Sequence, residues 1–504
     1  MIHDATRLPL PLRLDADICI VGSGPGGATV AMRCAEAGMR VVLLEAGELI
    51  TPADMNQREE DMLPRLFADG GNRTSADRRV HIHQGRGVGG SSLHNLNLCK
   101  RIPLAIRERW RQERGLAALP PERWDALYDE AEALIAVTAV LPAQVNRHNA
   151  LLAAGGAVLG WSTALLHHNR TGCLGSGFCE LGCAYDAKNN ALKVCVRRAV
   201  TADADVLTSC RAARVVFAAG VVSGVEAVAV DPADGRSLGR IHVQAPRVCL
   251  AASATGTAAL LLRSEVPDPG RETGRRLRVH PAGVVAGDFE EPVHAWEGIP
   301  QTVECTEWLQ LDREDGHRTW IVPAFAHPIG TATFVPGIGA AHRALMERYA
   351  HLAVLTAMIH DRTAGHVLPR GEHGLRIDYV PDADDEREIA FGVEACVRLL
   401  LAAGARRVLI PTPDPIVISA GAPSSAYTNL DLRALGLTAV HPMGSVPMGD
   451  DPAVAAVDGE GRHHHVAGLW IADASLFPSS IGVPPQLSVY AMGLHVSDAI
   501  RRAG

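Results

Sequence analysis

At 504 residues the chain exceeds one typical domain, and 47% hydrophobic and 21% charged residues suit a globular protein with a sizeable core. Its net charge, 48 Lys and Arg against 56 Asp and Glu, is −8, which argues against a nucleic-acid partner. The eleven Cys are odd in number and scattered, and no apolar leader precedes the first strand, so a reducing, cytoplasmic compartment is expected, with export or membrane docking through a partner subunit left open. The longest apolar stretch, residues 248–262, contains Ser253, Thr255, Gly256 and Thr257 and is too short for a transmembrane segment.

Residues 17–21 read as a short apolar strand, followed by Gly22, Gly24 and Gly27 in the spacing G-x-G-x-x-G. A helix-like run continues to Ala37, Gly38 ends it, and residues 39–44 form a second apolar strand that stops at Glu45. This order is that of a βαβ dinucleotide unit. Gly22 permits the tight turn, Gly24 lets the backbone approach a pyrophosphate, and Gly27 lets helix and strand pack closely. The free N–H groups at the helix start hold phosphates, and Glu45 stands where a carboxylate meets an unphosphorylated adenosine ribose. The unit by itself leaves NAD and FAD open.

Residues 48–80 are polar and read as a loop and helix on the surface. A second Gly-rich stretch, GRGVGGSSLHN, spans residues 85–95. Trp110, Trp124, Leu127, Tyr128 and Leu134 recur at helical intervals, which predicts helix over residues 104–138. Residues 205–250 read as strands divided by the turn signals DPADG and AP. From residue 279 to about 440, short β-like runs mix with helical runs such as EREIAFGVEACVRLLLAAGA, which suggests a second domain of sheet plus helices. The segment 441–504 again combines Gly, Pro and short apolar runs and ends in a helix.

Four separated motifs agree in order with one family. HPMGSVPMG (441–449) and VAGLWIADASLFPSSIGVPPQLSVYAMGLHVSDAI (466–500) resemble the glucose–methanol–choline (GMC) oxidoreductases. GRGVGGSSLHN looks like that family's first signature, and VCLAASATGTAALLLRS (248–264) like its second, with Ser253 where Gly is usual. The resemblance is weakest from about 290 to 435. It implies an α/β fold with a doubly wound, Rossmann-like FAD-binding domain and a substrate domain of antiparallel sheet and helices. The expected division is FAD-binding over 13–103, 201–280 and 441–504, a lid and Cys-loop insertion over 104–200, and substrate binding over 281–440.

The resemblance places His441 over the flavin face as the base that takes the alcohol proton while hydride moves to flavin N5; an imidazole of near-neutral pKa suits that task. The family's second catalytic Asn or His aligns with Pro484, which offers neither a side-chain donor nor an N–H. Gln486, two residues on, is the candidate replacement donor, with an ordinary polar residue at a helix start left open as the alternative. Arg86, Gly89, Gly90, Ser91, Asn95, Ala212, Asp473 and Ala474 are expected to contact FAD, together with the nucleotide unit. His94 stands where some members attach the flavin covalently, and GGSSLH permits that bond.

Cys173, Cys179 and Cys183, interleaved with Gly175, Gly177 and Gly182, resemble the loop that holds a three-iron (3Fe-4S) cluster in flavoprotein subunits of some sugar dehydrogenases. A zinc site and an inert structural loop stay open as alternatives. His463, His464 and His465 are expected in an exposed turn, since adjacent strand residues point to opposite faces and cannot converge on one metal.

The expected function is FAD-dependent oxidation of a CH–OH group of a small-molecule alcohol, with oxygen, a quinone or a redox partner protein as electron acceptor. Two further readings remain open. One is a flavin-bound non-redox enzyme, since hydroxynitrile lyases and fatty-acid photodecarboxylases share the fold; the other is an electron-transfer subunit of a larger complex.

Overall fold

The computed structural model describes residues 1–325 and 327–503. Its first layer is a six-stranded parallel sheet in the order Ile2–Asp4, Asp205–Thr208, Val41–Leu44, Ile18–Val21, Val248–Leu250, Leu469–Ile471. The two strands at its centre are buried along their whole length, as a parallel sheet covered on both faces demands. The helix Pro25–Glu36 is the crossover between them. Gly22 has φ +98, and a Cβ on Gly27 would meet the Gly22 carbonyl oxygen at 2.0 Å, so both glycines have the roles their spacing suggests. The first helix packs against the C-terminal helix Gln486–Arg502, where a Cβ on Gly493 would lie 2.8 Å from Thr29.

The strands read over 205–250 are present, but they serve two sheets. Asp205–Thr208 and Val248–Leu250 belong to the first sheet. Cys210–Ala218, Val221–Val230 and Ser237–Gln244 form an antiparallel meander, joined by Leu12–Asp15 in parallel with the third strand. Ser209, with φ +50, turns the chain from one sheet to the other.

The third sheet has nine strands. Ala282–Asp288, Leu352–Ile359 and Thr319–Pro323 are antiparallel neighbours near its centre, flanked by Arg407–Ile410 and Val303–Cys305. The helices Ala383–Ala402 and Arg147–Leu159 pack together behind it. The insertion also supplies the edge strand Thr163–Leu165, and Val80–Ile82 pairs with Leu437–Ala439, so strands from outside residues 281–440 complete this sheet.

The continuous helix expected over 104–138 is two helices, Leu104–Arg114 and Pro121–Leu134. Gly115 at φ +80 stops the first, and Pro120 with Pro121 at N1 starts the second. The aromatic spacing reflects a shared core, in which Trp110 packs against Trp124 and Phe477. Among the described residues no helix is long and apolar enough to cross a membrane.

A Cβ on Gly26 would lie 1.6 Å from the Ala472 carbonyl oxygen, which couples the first helix to the returning C-terminal segment. Gly26→Ala is therefore expected to destabilise the fold by about 3 kcal/mol, as overpacking does, read as a fall in Tm; an unchanged Tm contradicts this coupling.

Candidate active site

A cavity of about 1480 Å³ runs from the nucleotide turn to one face of the third sheet. Gly22 and Gly24 open it, together with Glu45 and Arg86. Gly90, Ser91, His94 and Asn95 form one wall, and Ala212, Asp473 and Ala474 line it further along. His441, Pro484 and Gln486 also face it. Gly27 and Gly89 do not line it: the first packs helix on strand, and the second donates its N–H to Ser23 Oγ at 3.1 Å.

The turn and the second Gly-rich stretch are sewn together by Glu45. Its Oε2 accepts from the Ser23 N–H at 3.1 Å and hydroxyl at 2.6 Å, and its Oε1 accepts from the N–H groups of Gly47 at 2.9 Å and Gly87 at 3.3 Å. Sequence reasoning missed Ser23, whose only signal is a hydroxyl inside the glycine turn. Gly24 is the N-cap of the first helix, and the nearest neighbour of a Cβ built there is Gly90 Cα at 4.0 Å, so this point of the cradle is open for a phosphate. Asp473 caps the turn Ala474–Leu476, accepting from the Ser475 N–H at 2.8 Å and the Thr257 hydroxyl at 2.5 Å. Burial holds its carboxyl above the usual range. Ser253 takes φ +73, a conformation that explains Gly as the usual residue there.

Gln486 offers no free donor, which corrects the expectation for it. Its Oε1 accepts from Asn95 Nδ2 at 2.6 Å, and its Nε2 donates to the Leu98 carbonyl at 2.8 Å and Asn169 Oδ1 at 3.0 Å. The amide is spent on fixing Asn95 and the start of the last helix.

The group beside His441 is His280, from a segment 161 positions away. The two Nδ1 atoms are 3.1 Å apart and the rings are perpendicular. The Gly482 N–H donates to His280 Nε2 at 3.1 Å. Neutral His280 therefore carries its proton on Nδ1 and donates it to His441 Nδ1, which leaves the proton of His441 on Nε2. His280 is itself strained at φ +52, and the Asp361 carboxylate holds this backbone through the N–H groups of Val279 at 2.9 Å and His280 at 3.3 Å. The signal for His280 in sequence, a His before Pro281 at a strand start, is too common to single out. Burial pushes His441 down to about 3, which departs from the near-neutral value expected for it, and burial followed by the neighbouring His441 pushes His280 well below the usual imidazole range.

His94 packs against Phe67 with centroids 4.0 Å apart and planes tilted by 42°, and its Nε2 is buried without a hydrogen-bond partner. The Cys loop departs from the metal expectation. Cys173, Cys179 and Cys183 are free thiols, and among the described residues no group of three His, Cys, Asp or Glu side chains could hold a metal ion. Lys188 organises the loop instead: its buried Nζ donates to the carbonyls of Leu93 at 3.0 Å, Asn95 at 2.5 Å and Cys179 at 2.9 Å. The His tract is also not simply exposed. His463 is buried, and its Nδ1 accepts from the His465 N–H at 3.2 Å.

Profiles described as GMC oxidoreductase match residues 63–282 and 363–493, and one described as an NAD(P)-binding Rossmann-like domain matches residues 20–77. An uncharacterized GMC-type oxidoreductase of Mycobacterium tuberculosis is 35% identical over 98% of this chain and 79% of its own length. The chain belongs to the GMC oxidoreductases. A GMC relative more distant in sequence, a long-chain-alcohol oxidase of Arabidopsis thaliana, is 26% identical over 99% of this chain and 69% of its own. The solved structure of pyridoxine 4-oxidase from Mesorbium loti shares the GMC chain's fold with a TM-score of 0.72 at 22% identity, covering 96% of this chain and 99% of that one. Formate oxidase does so with a TM-score of 0.70 at 16% identity. The chain is thus an oxidoreductase, and its family together with the Rossmann-like unit points to FAD. The open cradle at Gly24 and the orphaned His94 Nε2 fit that cofactor.

Several imidazoles of this GMC fold are held neutral by burial, with His168, His360 and His441 at about 3 and His148 at about 4, against 6.5 for a free side chain. Below pH 6.5 the unfolded chain takes up protons that the folded chain refuses. Stability is therefore expected to be full above pH 6.5 and to fall steadily toward pH 4. Thermal melts across that window check the sign; a Tm that rises on acidification contradicts it.

Proposed function

We propose that the protein oxidises the CH–OH group of an alcohol and that His441 takes the hydroxyl proton. The observation that carries this reading is the cavity-facing imidazole of His441, held at Nδ1 by His280, in the same cavity as the nucleotide cradle. The residues proposed to hold the cofactor are the cradle at Gly22, Gly24 and Gly90, with Glu45 toward the ribose, and Asn95 and Asp473 further along. Bound FAD supplies the hydride acceptor. The hydroxyl proton goes to His441 Nε2 as the C–H bond gives up its hydride, and the carbonyl product forms.

The hydrogen-bond order sets a condition on that step. His441 accepts a proton at Nε2 only when its own proton is on Nδ1, with His280 accepting at Nδ1. His280 then carries its proton on Nε2, and the Gly482 N–H loses its acceptor. Such an unmet N–H costs about 1–3 kcal/mol. His280 is thus a positioning residue that sets when His441 is a base.

The substrate face is apolar. Ala282, Val284 and Ala286 alternate along one strand, and Val354, Thr356 and Met358 along its neighbour, all toward the cavity. Relatives named long-chain-alcohol oxidases fit such a face. His94 Nε2 is the atom a covalently attached flavin would take, and acid precipitation separates attached from dissociable yellow colour.

Anaerobic mixing of the FAD-loaded protein with a panel of primary alcohols is expected to bleach the flavin. His441→Ala is expected to retain the flavin and to lose about 10²–10⁴-fold in bleaching rate, the usual worth of general acid–base catalysis. A panel in which no alcohol bleaches the flavin overturns the reading.

A further inference from the structure

When His441 is ready to take a proton, His280 carries its own proton on Nε2. Among the described residues the one hydrogen-bond partner at that nitrogen is the Gly482 N–H, itself a donor. Two donors then face each other, and His280 needs an acceptor on the side away from His441.

An unused acceptor stands across from it. The strands Ala282–Asp288 and Leu352–Ile359 are antiparallel, with Ala282 paired to Met358, and the Ile359 N–H donates to the Pro281 carbonyl at 3.2 Å. The same register carried one step on sets His360 opposite His280. A further step sets Asp361 opposite Val279, whose N–H the Asp361 carboxylate holds at 2.9 Å. Facing residues of an antiparallel pair project to the same side, with Cβ atoms roughly 5 Å apart. Gly482 touches both imidazoles: its N–H donates to His280 Nε2 at 3.1 Å, and a Cβ built on it would stand 3.3 Å from His360 Nδ1. His360 is only 6% exposed, and its Nδ1 is buried without a hydrogen-bond partner. Its backbone is fixed. The His360 N–H donates to the Arg318 carbonyl at 2.8 Å, and its own carbonyl accepts from Arg318 Nη1 at 2.7 Å. Asp385 and Asp384 hold that guanidinium in turn, at 2.8 and 2.9 Å.

We propose that His360 is a further positioning residue of the oxidation, whose Nδ1 accepts the Nε2–H of His280 in the tautomer that makes His441 a base. This rests on the alcohol-oxidation reading above. In the tautomer described by the structure the Gly482 N–H occupies His280 Nε2, and His360 Nδ1 is left over. A turn of the His280 side chain carries its Nε2–H from the Gly482 amide toward His360. The new bond offsets the loss of an acceptor for the Gly482 N–H. The hydrogen bonds then run one way, from His441 Nδ1 to His280 and from His280 to His360, and His441 Nε2 is left as the acceptor for the alcohol. Buried polar atoms without a partner are rare, and a partner found in only one of two tautomers accounts for this one. His360 also has to stay neutral to keep its lone pair. Burial, followed by the charges of Arg318, Arg109 and Arg278, holds it down to about 3, with Asp385 opposing them.

The test moves the acceptor atom by choice of side chain. Asparagine Oδ1 falls close to the place of a histidine Nδ1, whereas the glutamine amide reaches toward the Nε2 end. His360→Asn therefore keeps the acceptor and His360→Gln removes it. Both are compared with the native chain, FAD-loaded and mixed anaerobically with a primary alcohol that bleaches the native flavin. His360→Gln is expected to lower the limiting bleaching rate about tenfold, the worth of one buried hydrogen bond, with the half-saturating alcohol concentration unchanged. His360→Asn is expected to recover most of that rate, and His360→Leu replaces the glutamine variant where that one does not fold. Equal rates in the asparagine and glutamine variants, fast or slow, or a loss confined to alcohol affinity, overturn the proposal. A second readout needs no alcohol. Histidine-selective nitrogen NMR reports the tautomer average at His280. His360→Gln is expected to move it further toward the Nδ1–H form, and His360→Asn to leave it in place. If no alcohol bleaches the flavin but His280 follows this order, the oxidation reading fails and the His280–His360 pair stands. A His280 signal indifferent to residue 360 overturns the pair.

Discussion

One buried carboxylate organises the cofactor end of this molecule. Glu45 gathers donors from the glycine turn at Ser23, from Gly47 after its own strand, and from Gly87 in a loop forty residues further on. Ser23 passes the same connection to the Gly89 N–H. The second Gly-rich stretch is thus registered against the first through one anion, and Gly90 comes to rest against Gly24. The positions of Ser91, His94 and Asn95 follow from that registration. A carboxylate read from sequence as a ribose ligand is, in the fold, the clasp between two loops.

From there a second chain of constraints leads to the chemistry. Asn95 is fixed by Gln486 at the start of the last helix, and Lys188 fixes the Asn95 carbonyl together with the Cys loop. The last helix is held against the first by the absence of side chains at Gly26 and Gly493. His441 reaches the cavity on the far side of the same construction, and its ring is oriented by a histidine that a buried aspartate keeps in a strained backbone.

The sequence made the nucleotide unit legible because its physics is local: a turn, a helix N-terminus and an acid at fixed spacing. The same holds for most strands between 205 and 250, where β-branched alternation and turn residues act over a few positions. It did not reveal that these strands divide between two sheets, since that depends on a single left-handed Ser209. The aromatic spacing over 104–138 was read as one helix because core burial and helical period coincide, and the break rests on Gly115 and the Pro120–Pro121 pair. The candidate site was half legible. His441, Asp473 and Asn95 carry motif signals, whereas His280 carries none, and Gln486 was misjudged because its role depends on partners at Leu98 and Asn169. The Cys loop shows the same limit: three thiols are conspicuous in a sequence, and a buried lysine satisfied by three carbonyls is not.

The order of strands in the first sheet has a consequence for how the protein comes into being. Ile18–Val21 and Val41–Leu44 can pair as soon as they leave the ribosome, but their neighbours are Asp205–Thr208 and Val248–Leu250, and the outermost strand is Leu469–Ile471. The carbonyl of Ala472 and the helix that follows then close over the first helix. The nucleotide pocket is therefore assembled from contacts of very high sequence separation, which form slowly and leave sheet edges uncovered meanwhile. Cofactor uptake has to wait until nearly the whole chain has been made, and the nascent protein spends its synthesis with its most apolar strands dependent on partners not yet translated.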